Sequence, residues 1–525
     1  MIRTLKYSAL TFATVVGCAA HAATPVTSCE TLAALPLQDV TITVARTVPA
    51  GSFTAANGQP FANMPSFCLV HGVAAPTSES VINFEVWIPI ANWNGRFNGV
   101  GNGALAGTIS YSAMAPVVQR GFAAASTDTG HVPTEPQTWL LSRERIIDYS
   151  YRGFHLTTQY AKALIAALYG SGPAYSYYTG CSTGGKQGLM EAQRFPEDYD
   201  GVVAGDPANY WTMQMASEVW DGQATFGPNN LPIAKLPILN SAVLAACGNN
   251  GGGLPTDAFL TNPDTCNFDP GVLQCMGADA PTCLTAAQVA AAREIYQGPT
   301  NPTTGANEYP GLPRGSEVGW GPAGGQFVIN RTVAQGSGVS SFDWFRFAVF
   351  NNPSWDYTTL KFDSDVALNN AIFAPITNST DPNVFPLRAR GGKLIMYHGY
   401  ADPLIPPENT INYYQNVVDL ELQQVPQVSD PAFRRSMALG KTQVFARLFL
   451  VPGMYHCAGG PGPTTFDFLT PLTQWVEAGV PPQSVVASHV ESGTTTYTRP
   501  LCPYPASAYY SGSGPTSDAS SFVCR

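Results

Sequence analysis

The chain has 525 residues, enough for three average domains or for one large domain that carries an insertion. Only 12% of residues are charged, against roughly 25% in typical globular proteins, and the formal net charge is −10. Lysines and arginines form no cluster, which argues against a nucleic-acid partner.

The N-terminus, "MIRTLKYSALTFATVVGCAAHAATP", sets Arg3 and Lys6 before an apolar run that ends at Val16, followed by the small-residue pattern Ala20-His21-Ala22. That is the layout of a secretory signal peptide, so residues 1–22 are expected to be removed and the mature chain exported to the periplasm or beyond. A second reading takes "VVGC", residues 15–18, as a loose lipobox that would make Cys18 a lipidated N-terminus. No later run of about 18 apolar residues occurs, and no membrane span is expected. Export permits disulfides. With Cys18 set aside, the eleven cysteines become an even number. Spacing suggests local pairs: Cys29 with Cys68, Cys247 with Cys266, Cys275 with Cys283, and Cys502 with Cys524. Cys181 and Cys457 are left over.

From about residue 81 to 206, strand-like runs alternate with helical ones: "VINFEVWIP", "RFNGVGNG", "GFAAASTD", the helical "HLTTQYAKALIAALYG", then "AYSYYTG" and the helical "KQGLMEAQRF". Such alternation marks a parallel sheet with crossover helices. From 207 to 385 the rhythm stops: glycine, proline and asparagine dominate, and tryptophans recur at 211, 220, 320, 344 and 355. It resumes with "GGKLIMYHGYADPLIPP", "ENTINYYQNVVDLE", "ARLFLVPGMYHC" and "FDFLTPLTQWVEAG". One α/β domain, residues 23–206 and 386–525, interrupted by an insertion over 207–385, accounts for this better than three domains in series.

Gly180-Cys181-Ser182-Thr183-Gly184 fits G-x-S-x-G, with a strand before it and a helix after it. In that setting the serine projects from a tight turn as a nucleophile, and the Thr183 N–H at the helix start can hold an oxyanion. A glycine-rich chain also produces the pentapeptide by chance, as a serine in an ordinary turn. A serine hydroxyl needs a base, and the base needs an orienting carboxylate, in the chain order serine, acid, histidine. His456 follows the strand "ARLFLVPG" in a loop at its C-terminal end, where open α/β sheets carry their sites. His489 lies in an apolar alternating run and reads as a packed or edge-strand residue. His71, His131, His155 and His398 precede the acid loop or fall at its start and read as structural. Asp402, in the loop after "KLIMYHG", is the preferred acid over Asp419, which falls in a helical pattern; the competing reading is an Asx-Pro turn. If Ser182 and His456 meet, their neighbours Cys181 and Cys457 also come close and could bridge. The second oxyanion donor is sought in "FNGVGNGALAG", at Gly103, although that loop also reads as a plain turn.

Taken together, "GCSTGG", "QRFPEDYDGVVAGDP", "HGYADPLIPP" and "MYHCAGGPG" resemble the tannase and feruloyl esterase family over nearly the whole mature chain. The resemblance implies an α/β-hydrolase core, a large lid inserted after the nucleophile helix, and a disulfide joining the residues beside serine and histidine. It implies Ser182, Asp402 and His456 as the triad, Gly103 and Thr183 as oxyanion donors, no cofactor for the chemistry, and small-molecule esters of aromatic acids such as ferulate, gallate or terephthalate as substrates. It also implies a lid calcium site, but in "CGNNGGGLPTDAFLTNPDTC", residues 247–266, only Asp257 matches the family pattern. One aspartate among asparagines and backbone oxygens would bind calcium weakly or not at all. Asp206 stands where the family tends to have alanine. An exported peptidase using the same triad, and a binding protein on a hydrolase scaffold, are the rival classes; the presence of all three triad residues argues against the second.

Overall fold

The computed structural model describes residues 24–321, 329–331 and 339–525; the expected signal peptide and Cys18 lie outside them. Nine strands form the main sheet: β1 (Val40–Val48), β2 (Phe67–Ala74), β3 (Ile82–Pro89), β4 (Arg96–Val100), β5 (Ala123–Thr127), β6 (Tyr175–Cys181), β7 (Gly201–Gly205), β8 (Lys393–Gly399) and β9 (Ala446–Val451). Their spatial order is β1-β2-β3-β5-β4-β6-β7-β8-β9. The six strands from β5 to β9 run parallel, whereas β1, β2 and β3 pair antiparallel at one end. β1 and β2 lie before the alternation visible in the sequence, because β1 is an edge strand with most of its side chains in or near solvent.

Both faces of the parallel strands are covered, so their side chains alternate between two apolar cores. Tyr178, Val202, Ala204, Leu394 and Met396 enter one core, while Tyr177, Val203 and Ile395 enter the other. Helix α1 (Tyr111–Gln119) gives Met114 and Val118 to the second core. On the opposite face, α2 (Gly153–Tyr169) buries Ala161, Leu164, Ile165 and Leu168, spaced to form one helical stripe, and α3 (Thr183–Arg194) adds Leu189 and Ala192.

Between β7 and β8, the described residues of 206–392 contribute no strand to the main sheet. This insertion begins with α4 (Trp211–Ala224); Trp211, Phe342, Trp344 and Phe373 form an apolar cluster that also takes in Trp139 and Tyr149 of the core, and Leu236, Leu239 and Val243 belong to another. One helical stretch among the described residues, Gly227–Cys247, has the length and apolarity of a membrane span. It is a series of short turns leading into a helix from Leu236, and its apolar residues pack into the lid. After β8 come α5 (Pro407–Leu422) and α6 (Leu469–Ala478), then a hairpin of β10 (Val485–Glu491) and β11 (Thr494–Leu501).

The chain crosses from β4 to β5 on one side and returns to β6 on the other. β4 and β6 therefore flank the point where the strand order reverses, and loops at their carboxyl ends open a crevice there.

Candidate active site

Ser182 occupies that crevice. It joins β6 to α3 with φ 65° and ψ −125°, a conformation that a non-glycine residue holds only when its surroundings enforce it. The enforcement is close backbone packing. A Cβ at Gly185 would meet Gly205 O at 2.2 Å, and one at Gly184 would meet Asn102 O at 2.9 Å. Ser182 N donates to Gly205 O (2.9 Å) and Gly184 N to Asn102 O (2.8 Å), fixing the elbow to β7 and to the loop after β4. That loop carries Gly103, which is exposed, and Ala104, whose carbonyl accepts from the Thr183 hydroxyl (2.6 Å). The loop that carries Gly103 thus packs against Thr183, beside Ser182.

His456 Nε2 is 2.8 Å from Ser182 Oγ, and its Nδ1 is 2.8 Å from Asp402 Oδ2. Asp402 is fully buried. Its other oxygen accepts from Leu404 N (2.8 Å) and Ile405 N (3.0 Å), so the Asx turn and the histidine share one carboxylate. Burial would push this carboxyl up, but His456 and His398 outweigh it and hold Asp402 well below the usual range. At His456 burial disfavours the charged ring, yet Asp402 above all, with Asp206 and Glu218, raises it above ordinary imidazole.

Two residues behind this chain of contacts escaped the sequence reading. His398, read as structural, has Nε2 3.3 Å from Asp402 Oδ2 and 2.9 Å from Ile405 O, with Nδ1 2.7 Å from Thr410 Oγ1. Asp206 is fully buried; Oδ1 accepts from Gly399 N (2.7 Å) and lies 3.6 Å from His398 Nε2, and Oδ2 lies 3.1 Å from Cys181 Sγ. Burial pushes the Asp206 carboxyl up. Asp206 is therefore a second carboxyl beside Asp402 and His456. Its signal was available: it stands at the carboxyl end of a parallel strand, as Asp402 does.

The other histidines lie elsewhere. His71 contacts Thr43, His131 stacks on Trp139, His155 contacts Asp198, and His489 in β10 stacks on Tyr497 of β11. Asp419 pairs with Arg435 on the surface. Cys181 and Cys457 form a disulfide, spanning 276 residues of sequence and joining the neighbours of serine and histidine. The four local pairs are formed as spacing suggested.

A cavity of about 340 Å³ opens from Ser182 into the lid. Ala104, Ala208, Trp211, Met215, Val339, Leu404 and Ile405 form apolar walls; Thr183, Gln214, Glu218 and Ser340 are the polar lining. Most lid tryptophans serve the lid's own core: Trp344 is fully buried, donating to Asn369 Oδ1 (3.0 Å). Trp211 is the one that faces the cavity, and the Lys186 ammonium lies 4.5 Å from its ring centre.

The Cys247–Cys266 loop does not fit calcium. The carboxylate of Asp257 is taken by a buried arginine, Arg499 Nη2, at 2.9 Å, and its other oxygen faces Leu254 N (3.4 Å). Among the described residues, no cluster of three candidate ligand groups includes Asp257. Asp257 is an ion-pair partner of β11.

The family model for tannase and feruloyl esterase matches residues 68–525. An uncharacterized esterase of Xanthomonas campestris pv. campestris is 37% identical over 530 residues, covering 95% of this chain and 91% of its own. The mono(2-hydroxyethyl) terephthalate hydrolase of Piscinibacter sakaiensis is 32% identical over 546 residues, covering 88% of this chain and 85% of its own. The crystal structure of feruloyl esterase B from Aspergillus oryzae superposes with a TM-score of 0.85 at 28% identity, covering 95% of this chain and 99% of that one. With a match over most of its length and relatives of this similarity, the chain belongs to the tannase and feruloyl esterase family of carboxylic ester hydrolases.

Proposed function

We propose that this chain is an exported serine esterase that hydrolyses carboxylic esters of aromatic acids through an acyl-enzyme. One observation carries the reading: Ser182, His456 and Asp402 are linked at 2.8 Å each at the foot of an apolar cavity walled by Trp211. His456 Nε2 takes the Ser182 proton as Oγ attacks the ester carbonyl, and the N–H groups of Thr183 and Gly103 receive the developing oxyanion. The proton then passes from His456 to the departing alcohol. Water, deprotonated by His456, attacks the acyl-serine; the acid leaves and Ser182 regains its proton. No cofactor enters these steps. Relatives named for feruloyl esters and a terephthalate monoester support an aromatic acyl group, and the N-terminal pattern together with five disulfides supports export.

The test is a screen of the purified protein against feruloyl, galloyl, chlorogenate and terephthalate esters beside a peptide, with Ser182→Ala in parallel. Turnover of at least one aromatic ester is expected, reduced about 10³-fold or more in the variant. Cleavage of the peptide without any ester, or a variant within tenfold of the parent, would overturn the assignment.

A further inference from the structure

One face of α4 lines the cavity, with Trp211, Gln214, Met215 and Glu218 at the i, i+3, i+4, i+7 spacing of a single helical stripe. The N-terminal side of this stripe adjoins the nucleophile, because Ala208 N donates to Ser182 O at 3.2 Å. Glu218 lies about 10 Å further along the axis at 1.5 Å per residue. It is 8% exposed, and an acid so placed in an apolar pocket is costly unless its oxygens are used.

Gln214 fixes that acid. Its amide nitrogen donates to Glu218 Oε1 (3.1 Å) and to Leu404 O (2.8 Å), while its amide oxygen lies 3.1 Å from the Tyr309 hydroxyl. Both N–H groups of Gln214 are thereby used within the protein, and the carboxyl of Glu218 is the oriented acceptor presented to the cavity. Among the described residues, no lysine or arginine lines the cavity. Lys186 lies against the Trp211 ring without lining it, Arg346 is bound to Asp343 (2.6 Å), and residues 322–328 and 332–338 contain no charged side chain.

We propose that Glu218 accepts a hydrogen bond from a ring hydroxyl of the acyl group, so that the pocket selects hydroxylated aromatic acids and rejects those bearing a second carboxylate. The inference rests on the aromatic-ester reading above. A site built around a hydroxyl discriminates strongly against the analogue that lacks it, because its own polar group is left unpaired. A ring carboxylate would be desolvated beside an acid with no cation to neutralise it.

The experiment compares kcat/KM for methyl 4-hydroxycinnamate, methyl cinnamate and mono(2-hydroxyethyl) terephthalate in the parent, Glu218→Leu and Glu218→Gln. The parent should favour the hydroxylated ester over each of the others by about 10²-fold or more. Glu218→Leu should bring the hydroxylated-to-plain ratio to within about threefold, and Glu218→Gln, which keeps a carbonyl acceptor, should retain most of it. A parent ratio near one, a ratio that survives Glu218→Leu, or a terephthalate monoester turned over as well as the hydroxycinnamate overturns the proposal. If Glu218→Leu does not fold, Ser182→Ala with Glu218 intact must bind free 4-hydroxycinnamate more tightly than cinnamate by calorimetry, and equal affinities overturn it. Failure of the aromatic-ester reading looks different: neither cinnamate ester reacts while an activated acetate ester does.

Discussion

At the scale of single residues, the three members of the proposed triad could be picked out because each follows a recognisable strand and sits in a loop at its carboxyl end, and the structure brings them into hydrogen-bond contact. Asp206 offered the same signal at the end of β7, but its meeting with His398 depends on β7 and β8 lying side by side, a fact no local pattern states. Their placement has a measurable effect. Asp206 is faced by His398, Asp402, His456 and the Cys181–Cys457 bridge, and its charge raises the His456 imidazole. In the proposed mechanism His456 must be neutral to take the serine proton, so activity should climb as the ring loses its proton. Removing a carboxylate that favours the protonated ring should lower its pKa. Asp206→Asn keeps an acceptor for Gly399 N and should therefore move the ascending limb of the kcat/KM profile to lower pH, by roughly 0.5–1 unit. A limb that stays in place or moves to higher pH would show that Asp206 does not act on the base.

Among the elements, the strands and helices with strong periodicity were readable, and short or solvent-facing ones were not. β7 is a five-residue run of small residues, "GVVAG", with no alternation to mark it, because both of its faces are buried. The lid tryptophans illustrate a second limit: composition shows that aromatics are present, but only packing separates Trp211, which faces the cavity, from Trp344, which holds the lid together. The attachment of β11 to the lid was equally invisible, since Asp257 and Arg499 are 242 residues apart. Arg499 also donates to Thr516 O (2.6 Å) and packs over Phe522. Deleting one partner of a buried pair strands the other, which costs about 3–5 kcal/mol. Arg499→Met should lower the melting temperature accordingly, with a smaller loss in the Arg499→Met/Asp257→Leu double variant. Excess chelator should leave the parent's melting curve unchanged; a drop of several degrees would instead show that a metal holds this loop.

For the whole molecule, the strand rhythm on either side of residues 207–385 marks strands that join one sheet, whereas nothing in it marks the antiparallel extension by β1 and β2. The longest covalent tie is the bridge between Cys181 and Cys457. Closing a loop of that length restricts the unfolded chain by an upper figure of about 5–6 kcal/mol, reduced by structure remaining in the denatured state. The double variant Cys181→Ser/Cys457→Ser should melt at lower temperature and, with the His456 loop less constrained, lose kcat more than KM rises. Peptide mapping of the unreduced protein should recover the two cysteines linked. A free thiol at either position, or undiminished kcat in the double variant, would sever the connection between bridge and catalysis.

That bridge also gives the enzyme a sense of place. The serine and its base come from distant parts of the chain, and the bond that clamps their neighbours together forms only where thiols are oxidised. Copies still inside a reducing compartment would hold the two loops by packing alone. Any hydrolytic power that needs the bridge would then depend on the oxidation state of its surroundings.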